Sequence, residues 1–374
     1  MRILENENLC CGCGACYNSC QKDAIEMIQN EEGFYYPVIN ETACVNCGVC
    51  RNVCPIMKEL PKSDNIIMAM KHNNNEIRSH SASGGAFTLF SDAFLRKKGI
   101  VYGVAYDDMF KAKHIRAENI DGRDRMRGSK YVQSLSYGIY PQVKKDLTDN
   151  KQVLFCGTPC QVAGLLCYLK KSYENLTTID IICHGVMSPK VFEDYIHYVN
   201  KKYGTIKQFT FRDKKIAWRG CHISVVTQDK TITETVSLNV ARQLYYGHYA
   251  TRPSCHSCHF TSINRVSDIT IGDFWGIENS NPSFEDALGV SLIIVNTSKG
   301  KALWNDCKNS CSYIEEKLEH CKQPQLYKSA TPNPRRAQFW NDYKKFGFKR
   351  IAKTYGETGF VAQSKKHIKS ILKK

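Results

Sequence analysis

Cys10-x-x-Cys13-x-x-Cys16-x-x-x-Cys20 and, further on, Cys44-x-x-Cys47-x-x-Cys50-x-x-x-Cys54-Pro55 decide how this chain is read. Each cysteine of the second run lies 34 residues after its counterpart in the first, so the stretch is an internal duplication. In such runs three closely spaced thiolates hold one [4Fe–4S] cube, while the fourth crosses to the other. The spacing therefore groups Cys10, Cys13, Cys16 and Cys54 around one cube, and Cys44, Cys47, Cys50 and Cys20 around a second. Gly12, Gly14 and Gly48 stand between ligands, where a tight loop must turn its amides toward sulfur. Zinc competes, but its structural sites use paired knuckles with four ligands to each ion, and two triplet-plus-one runs fit that badly. Gln21 follows Cys20 where Pro55 follows Cys54, yet Lys22-Asp23-Ala24-Ile25 still reads as the turn expected there.

This is the spacing of a bacterial-type ferredoxin, and 374 residues are too many for a ferredoxin alone. Residues 1–57 are expected to form that two-cluster domain, appended to something larger. A hydrophobic fraction of 42% is ordinary for a globular protein. No apolar run approaches the roughly 18 residues of a membrane span, and no apolar signal core precedes the cysteines, so neither a span nor a secretory peptide is expected. Nineteen cysteines then point to metal chemistry in a reducing cytoplasm. The formal charge of +16 counts thiols as neutral, and each cube would return about two negative charges. The remaining positive charge suits an acidic electron donor, a phosphate-bearing cofactor or an anionic surface. Nucleic acid is not expected, because no reader motif is present.

Beyond the polar stretch Lys58 to Asn65, read as a linker, the pattern turns to strands and helices in alternation. Ile66–Met70 and Ile100–Tyr106 read as strands around a helix over 86–98, whose apolar face is Phe87, Phe90, Ala93 and Phe94. Ser81-Ala82-Ser83-Gly84-Gly85 precedes that helix. It is either a close approach for an anion at a helix start or a loop in which Ser83 is the N-cap. A helix over 137–147 leads to a strand over 152–155, then Cys156-Gly157-Thr158-Pro159-Cys160-Gln161 and a helix to 169. The strand 177–182 ends in Cys183-His184-Gly185 before a helix near Ser188-Pro189. Such turns lie at the carboxyl ends of strands, where open α/β sheets bind ligands. Strands over 206–212, 221–228 and 231–236 suggest a more antiparallel region, followed by a buried strand over 290–296 and a helix from Lys299. From Pro324 the chain is basic and weakly patterned. Residues 365–374 read as a solvated tail, or as a short amphipathic helix docking to a surface.

Eleven cysteines remain besides the eight ligands of the duplicated run. Cys255-x-x-Cys258 is a ligand pair in need of partners, and Cys160 and Cys183 sit at successive strand ends. These four could hold a third [4Fe–4S] cluster. A zinc knuckle using His256 or His259, or simply buried thiols, are the alternatives.

GTPCQVAGL at 157–165, ICHGV at 182–186, GSKYVQS at 128–134, SASGG at 81–85 and SDITIGDFWG at 267–276 together resemble the coenzyme F420 hydrogenase/dehydrogenase beta-subunit family. The likeness runs in order from about residue 64 to 340. It implies an α+β / α/β multidomain protein: the ferredoxin fold over 1–57, a beta-subunit N-terminal α/β domain over 64–150, a C-terminal domain over 151–340 with the third cluster and flavin site, and a basic tail over 341–374. The core is thus a mixed α/β flavin-binding one. The family includes subunits that reduce the deazaflavin F420 and a plant reductase of hydroxymethyl chlorophyll; many bacterial relatives accompany surface-polysaccharide genes. The resemblance turns Ser83, Gly84, Gly85, Gly157 and Thr158 toward FAD or FMN, and gives Lys130 a phosphate or the reduced flavin as partner. It also favours a cluster on Cys160, Cys183, Cys255 and Cys258. Cys156, Cys167, Cys221, Cys307, Cys311 and Cys321 fall to structural roles and Cys11 to a bystander's. His184 and Asp273 are the candidates for proton handling, with turn-capping the plainer role for Asp273.

The expectation is an iron–sulfur flavoprotein oxidoreductase. Reduced ferredoxin or a partner subunit would supply single electrons, and a small molecule, F420-like or from a polysaccharide pathway, would accept two. A non-catalytic electron-transfer subunit of a homo- or hetero-oligomer, and a sensor stabilised by its clusters, are the rival classes.

Overall fold

The computed structural model describes residues 3–63 and 65–359, so the tail expected over 365–374 lies outside the described residues. In the N-terminal module, β1 (Ile25–Gln29) and β2 (Tyr35–Ile39) pair as an antiparallel hairpin. Short helices over Ala15–Ser19 and Val49–Asn52 carry the third cysteine of each triplet. The duplication persists in the backbone. Both helices start after a glycine in the left-handed region, Gly14 at φ 77° and Gly48 at φ 72°, where a side chain would be strained. Cys20 and Cys54 leave at ψ 106° and 116°, so replacing the proline by Gln21 does not redirect the chain.

The core is built on β3 (Ile66–His72), β4 (Ile100–Tyr106), β5 (Ala112–Ala117), β6 (Val153–Gly157) and β7 (Leu176–Ile181). A separate antiparallel sheet follows, of β8 (Gln208–Thr210), β9 (Ser224–Val226) and β10 (Thr231–Thr233). The chain then returns with β11 (Ile269–Asp273), β12 (Ser291–Val295) and β13 (Cys311–Glu316). The large sheet has eight strands in the order β13-β3-β12-β11-β7-β6-β4-β5. Its centre, β4-β6-β7-β11, is parallel, and antiparallel strands flank it. Val153, Leu154 and Phe155 of β6 and Leu292 to Val295 of β12 are buried apolar runs, as strands covered on both faces require. One face packs against the Ala86–Arg96 and Ser298–Cys307 helices through Leu89, Phe90 and Trp304. The other meets the Ile139–Thr148 and Pro159–Leu169 helices through Tyr140, Val143, Val162 and Leu165. Each such side chain contributes about 1.5–3 kcal/mol on burial. The boundary expected at 150/151 runs through this one sheet, which takes β3–β5 from before it and the other strands from after it.

The basic tail expected from residue 341 needs correcting. A helix spans Arg336–Thr354 and buries Phe339, Tyr343, Phe348, Ile351 and Ala352 in a cluster with Val191, Tyr195 and Leu244. Gly347 interrupts it at φ 70°, ψ −176°, so its apolar residues keep no single period. The N-terminal module docks directly on this core: Ser136 Oγ and Tyr140 Oη donate to the Cys13 carbonyl at 2.7 and 2.8 Å. The stretch read as a linker is pinned at both ends, with His259 Nε2 2.8 Å from Lys58 O and Ser63 Oγ donating to Arg265 O at 3.3 Å.

Candidate functional site

The strands β3, β4, β6, β7 and β11 point the same way, so their carboxyl ends open on one edge of the sheet. A cleft of about 240 Å³ lies there, walled by Ser83, Gly85, Lys130, Gly157, Thr158, His184 and Asp273. Five of the six residues assigned to a cofactor and both proton-handling candidates therefore meet in one place. Gly84 is the exception. A Cβ on it would lie 2.3 Å from Met70 O and 2.6 Å from Ser291 N, so this glycine lets the loop press onto the sheet edge. Ser83 is not the N-cap; Gly85 holds that position, and Ser83 Oγ donates instead to Val290 O at 2.7 Å. On β6 the turn is set by a capping box, in which the Thr158 and Gln161 side chains satisfy each other's backbone and Pro159 opens the helix.

The polar groups of the cleft are largely engaged. Lys130 Nζ donates to the carbonyls of Arg125, Met126 and Arg127 at 3.2, 2.9 and 2.8 Å, and burial pushes its ammonium down to about 7. Asp273 forms an ion pair with Arg212, stronger than a turn cap. His184 Nε2 lies 3.3 Å from Gln323 Oε1, and burial holds the ring below the usual histidine range. Tyr131 stacks on Tyr245 at 4.6 Å beside these groups.

Two further cavities are lined by eight of the twelve assigned cysteines; Cys20, Cys44, Cys47 and Cys50 line neither. Cys10, Cys13, Cys16 and Cys54 line one of about 250 Å³, the grouping that the spacing gave. Cys160, Cys183, Cys255 and Cys258 line another of about 50 Å³. Cys183 reaches this second cavity from the end of β7, Cys160 from the first turn of the Pro159–Leu169 helix. Cys255 comes from a single turn over Pro253–Ser257, its N–H donating to Arg252 O at 3.0 Å, and Cys258 caps the end of that turn. Burial pushes Cys54 up to about 11 and Cys183 up to about 12. Burial and then Cys183 raise Cys255, while the Cys11 thiol and then burial raise Cys160. Thiols so crowded become thiolates only against a cation, which is what a metal supplies. Among the described residues no three His, Cys, Asp or Glu side chains close on a single ion. The knuckle histidines are turned to carbonyls, His256 Nδ1 at 2.9 Å from Ala330 O and His259 Nε2 at 2.8 Å from Lys58 O. These donor sets could hold iron–sulfur cubes, whose ligands are spread over four irons.

The three cavities adjoin. Cys11 and Ile56 wall both thiol cavities, and Thr158, Cys183, His184, Gly185 and Val186 wall both the smaller one and the cleft. Residues 4–60 match the family described as 4Fe-4S dicluster domain, and residues 150–320 match the C terminus of the coenzyme F420 hydrogenase/dehydrogenase beta subunit. The chain joins a dicluster domain to a beta-subunit domain. This is iron–sulfur electron-transfer architecture related to the F420 hydrogenase/dehydrogenase beta subunit. Among solved structures, a chain of the F420-reducing [NiFe] hydrogenase complex from Methanosarcina barkeri is similar at 16% identity and a TM-score of 0.49, over 79% of this chain and 92% of that one. No curated protein matches. Among the described residues no helix is long and apolar enough to cross a membrane.

The dicluster and beta-subunit domains also meet through residues that sequence reading passed over. Cys11, read as a bystander, stands on the wall between the two thiol cavities. Arg265 Nη2 pairs with Asp180 Oδ1 at 2.9 Å, both fully buried, below the smaller cavity. Arg252 reaches from the beta-subunit domain into the first cysteine loop. Neither arginine lies in a recognisable motif.

Proposed function

We propose that this chain is an iron–sulfur flavoprotein oxidoreductase. It takes single electrons from reduced ferredoxin or a partner subunit in the cytoplasm and delivers two to a small-molecule acceptor, F420-like or from a biosynthetic pathway such as polysaccharide assembly. The observation that carries the reading is the sharing of walls along the series from first thiol cavity to second to cleft. Bound cubes would supply one-electron transfer, and FAD or FMN in the cleft the conversion to two-electron chemistry.

The chain's own residues do the rest. Cys10, Cys13, Cys16 and Cys54 hold one cube and Cys44, Cys47, Cys50 and Cys20 the other; Cys160, Cys183, Cys255 and Cys258 hold the third. Exposed Cys47 and Val45 mark the end at which a donor would dock. In the cleft, Ser83, Gly85, Gly157 and Thr158 present small side chains and main chain to the flavin. Lys130 braces the 125–130 loop from beneath, rather than reaching out as a free cation. His184 is the better proton carrier: with Nε2–H given to Gln323, Nδ1 is left as an acceptor. Asp273 serves by holding Arg212 in place.

Anaerobic purification with iron, sulfide and flavin counted per chain tests the reading. About twelve irons and one flavin are expected for three cubes and a flavoprotein. About eight irons and no flavin after reconstitution would overturn it, leaving a dicluster partner of an enzyme located elsewhere.

A further inference from the structure

Arg252 is completely buried, yet its hydrogen bonds go to neutral acceptors. Nε donates to Cys10 O at 2.8 Å, Nη1 to Gln133 Oε1 at 2.8 Å and Nη2 to Tyr35 O at 3.0 Å. None of the three is a carboxylate. The guanidinium lies 4.3 Å from the centre of the Tyr36 ring, which eases its burial without neutralising it. A buried charge demands a counter-charge, because desolvation of an isolated ion is costly. The ionisable groups that face it include the Cys10, Cys11, Cys160 and Cys255 thiols and the Tyr36 and Tyr137 phenols. The position is built from both sides. A Cβ on Gly12, at φ 68°, would come within 2.3 Å of Gln133 Nε2 and 3.1 Å of Arg252 Cζ, so the first cysteine loop is shaped to admit the fork.

We propose that Arg252 is the fixed counter-charge of the cube held by Cys10, Cys13, Cys16 and Cys54, lying between it and the Cys255-bearing site and raising its reduction potential. Reduction adds one electron, and with it one negative charge, to the cube, and a desolvated cation alongside favours that state. The second cube's loop, with Cys44, Cys47, Cys50 and Cys20, carries the exposed Arg51 but no buried arginine among the described residues, and that cube keeps a lower potential. Electrons arriving there then run downhill into the core. The inference rests on the proposed function only in placing a cube at the first thiol cavity; neither the flavin nor the third cube is needed for it.

The test is potentiometry, followed by electron paramagnetic resonance, on the full-length chain with iron counted in parallel. Arg252→Gln is expected to keep its dicluster iron and to lower one cube by at least about tenfold in its reduction equilibrium, about 59 mV for one electron. The cube on Cys44, Cys47, Cys50 and Cys20 should not move, and Arg252→Lys, which keeps the charge but loses the fork, should recover most of the shift. A fully loaded Arg252→Gln chain with both potentials unchanged overturns the inference, as does Arg252→Lys falling as far as Arg252→Gln. Should Arg252→Gln fail to load, Gln133→Glu places a carboxylate on the guanidinium. It is expected to lower the same cube, and an unmoved potential there overturns the inference equally. A wild-type chain that binds no iron sinks the proposed function and this inference together; iron present with unmoved potentials sinks this inference alone.

Discussion

The two thiol cavities are built by opposite routes. The first is local: Cys10, Cys13 and Cys16 come from one loop, and Cys54 arrives from the duplicate of that loop. The second is assembled by topology, from the end of β7, the helix after β6 and a turn that the chain reaches about 70 residues later. A local site needs its own loop and little else. An assembled one needs the whole parallel sheet to be in place, so it should be the more fragile of the two.

The largest test of that difference is ligand removal. Cys160→Ser should lose about four irons and leave the dicluster iron intact, whereas Cys13→Ser should lose about four from the N-terminal domain. Iron analysis of both variants checks this, and equal depletion of both sites by Cys160→Ser would break the comparison. Next comes the buried pair beneath the assembled site. Asp180→Asn leaves Arg265 as a buried, unpaired cation and should cost about 3–5 kcal/mol. Denaturant unfolding measures the loss, and iron release should begin with the core site.

A smaller effect comes from acid. His114 is buried against Phe155 of β6, with ring centres 5.0 Å apart, and burial pushes it down to about 4. Its folded value lies below the unfolded one, so the unfolded chain binds the proton more readily. Stability is therefore full above about pH 6.5 and falls from there toward pH 4, by about 3 kcal/mol in all. The sequence places no histidine in residues 1–57, so this loss belongs to the core alone. Thermal melts of His114→Phe between pH 7 and pH 4.5 should lack that part of the pH dependence, and an unchanged profile would assign the acid sensitivity elsewhere.

The same contrast explains what could be read without coordinates. The dicluster domain was legible because ligand spacing within a loop is a local property. The buried strands were legible because parallel strands are continuous apolar runs, as at Val153–Phe155. β5 was not: Ala112-Lys113-His114-Ile115-Arg116-Ala117 is a half-polar edge strand with no strong pattern. The Arg336–Thr354 helix hid behind the break at Gly347. Ser83 and Gly84 sit in a motif beside the cleft, but Ser83 bonds to Val290 and Gly84 packs on Met70 and Ser291; Val290 and Ser291 lie far along the chain, where spacing cannot name them. Arg252 and Arg265 were invisible for the same reason, since what distinguishes them is burial between segments far apart in the chain.

The segment between the domains is held at Lys58 by His259 and at Ser63 by Arg265. A carrier swinging on a loose tether would exchange with its target at a rate set by solvent viscosity. Here the N-terminal domain is tied down at both ends of the segment, so the proposed electron transfer between the domains would involve no diffusional search, and added glycerol would leave that internal rate untouched.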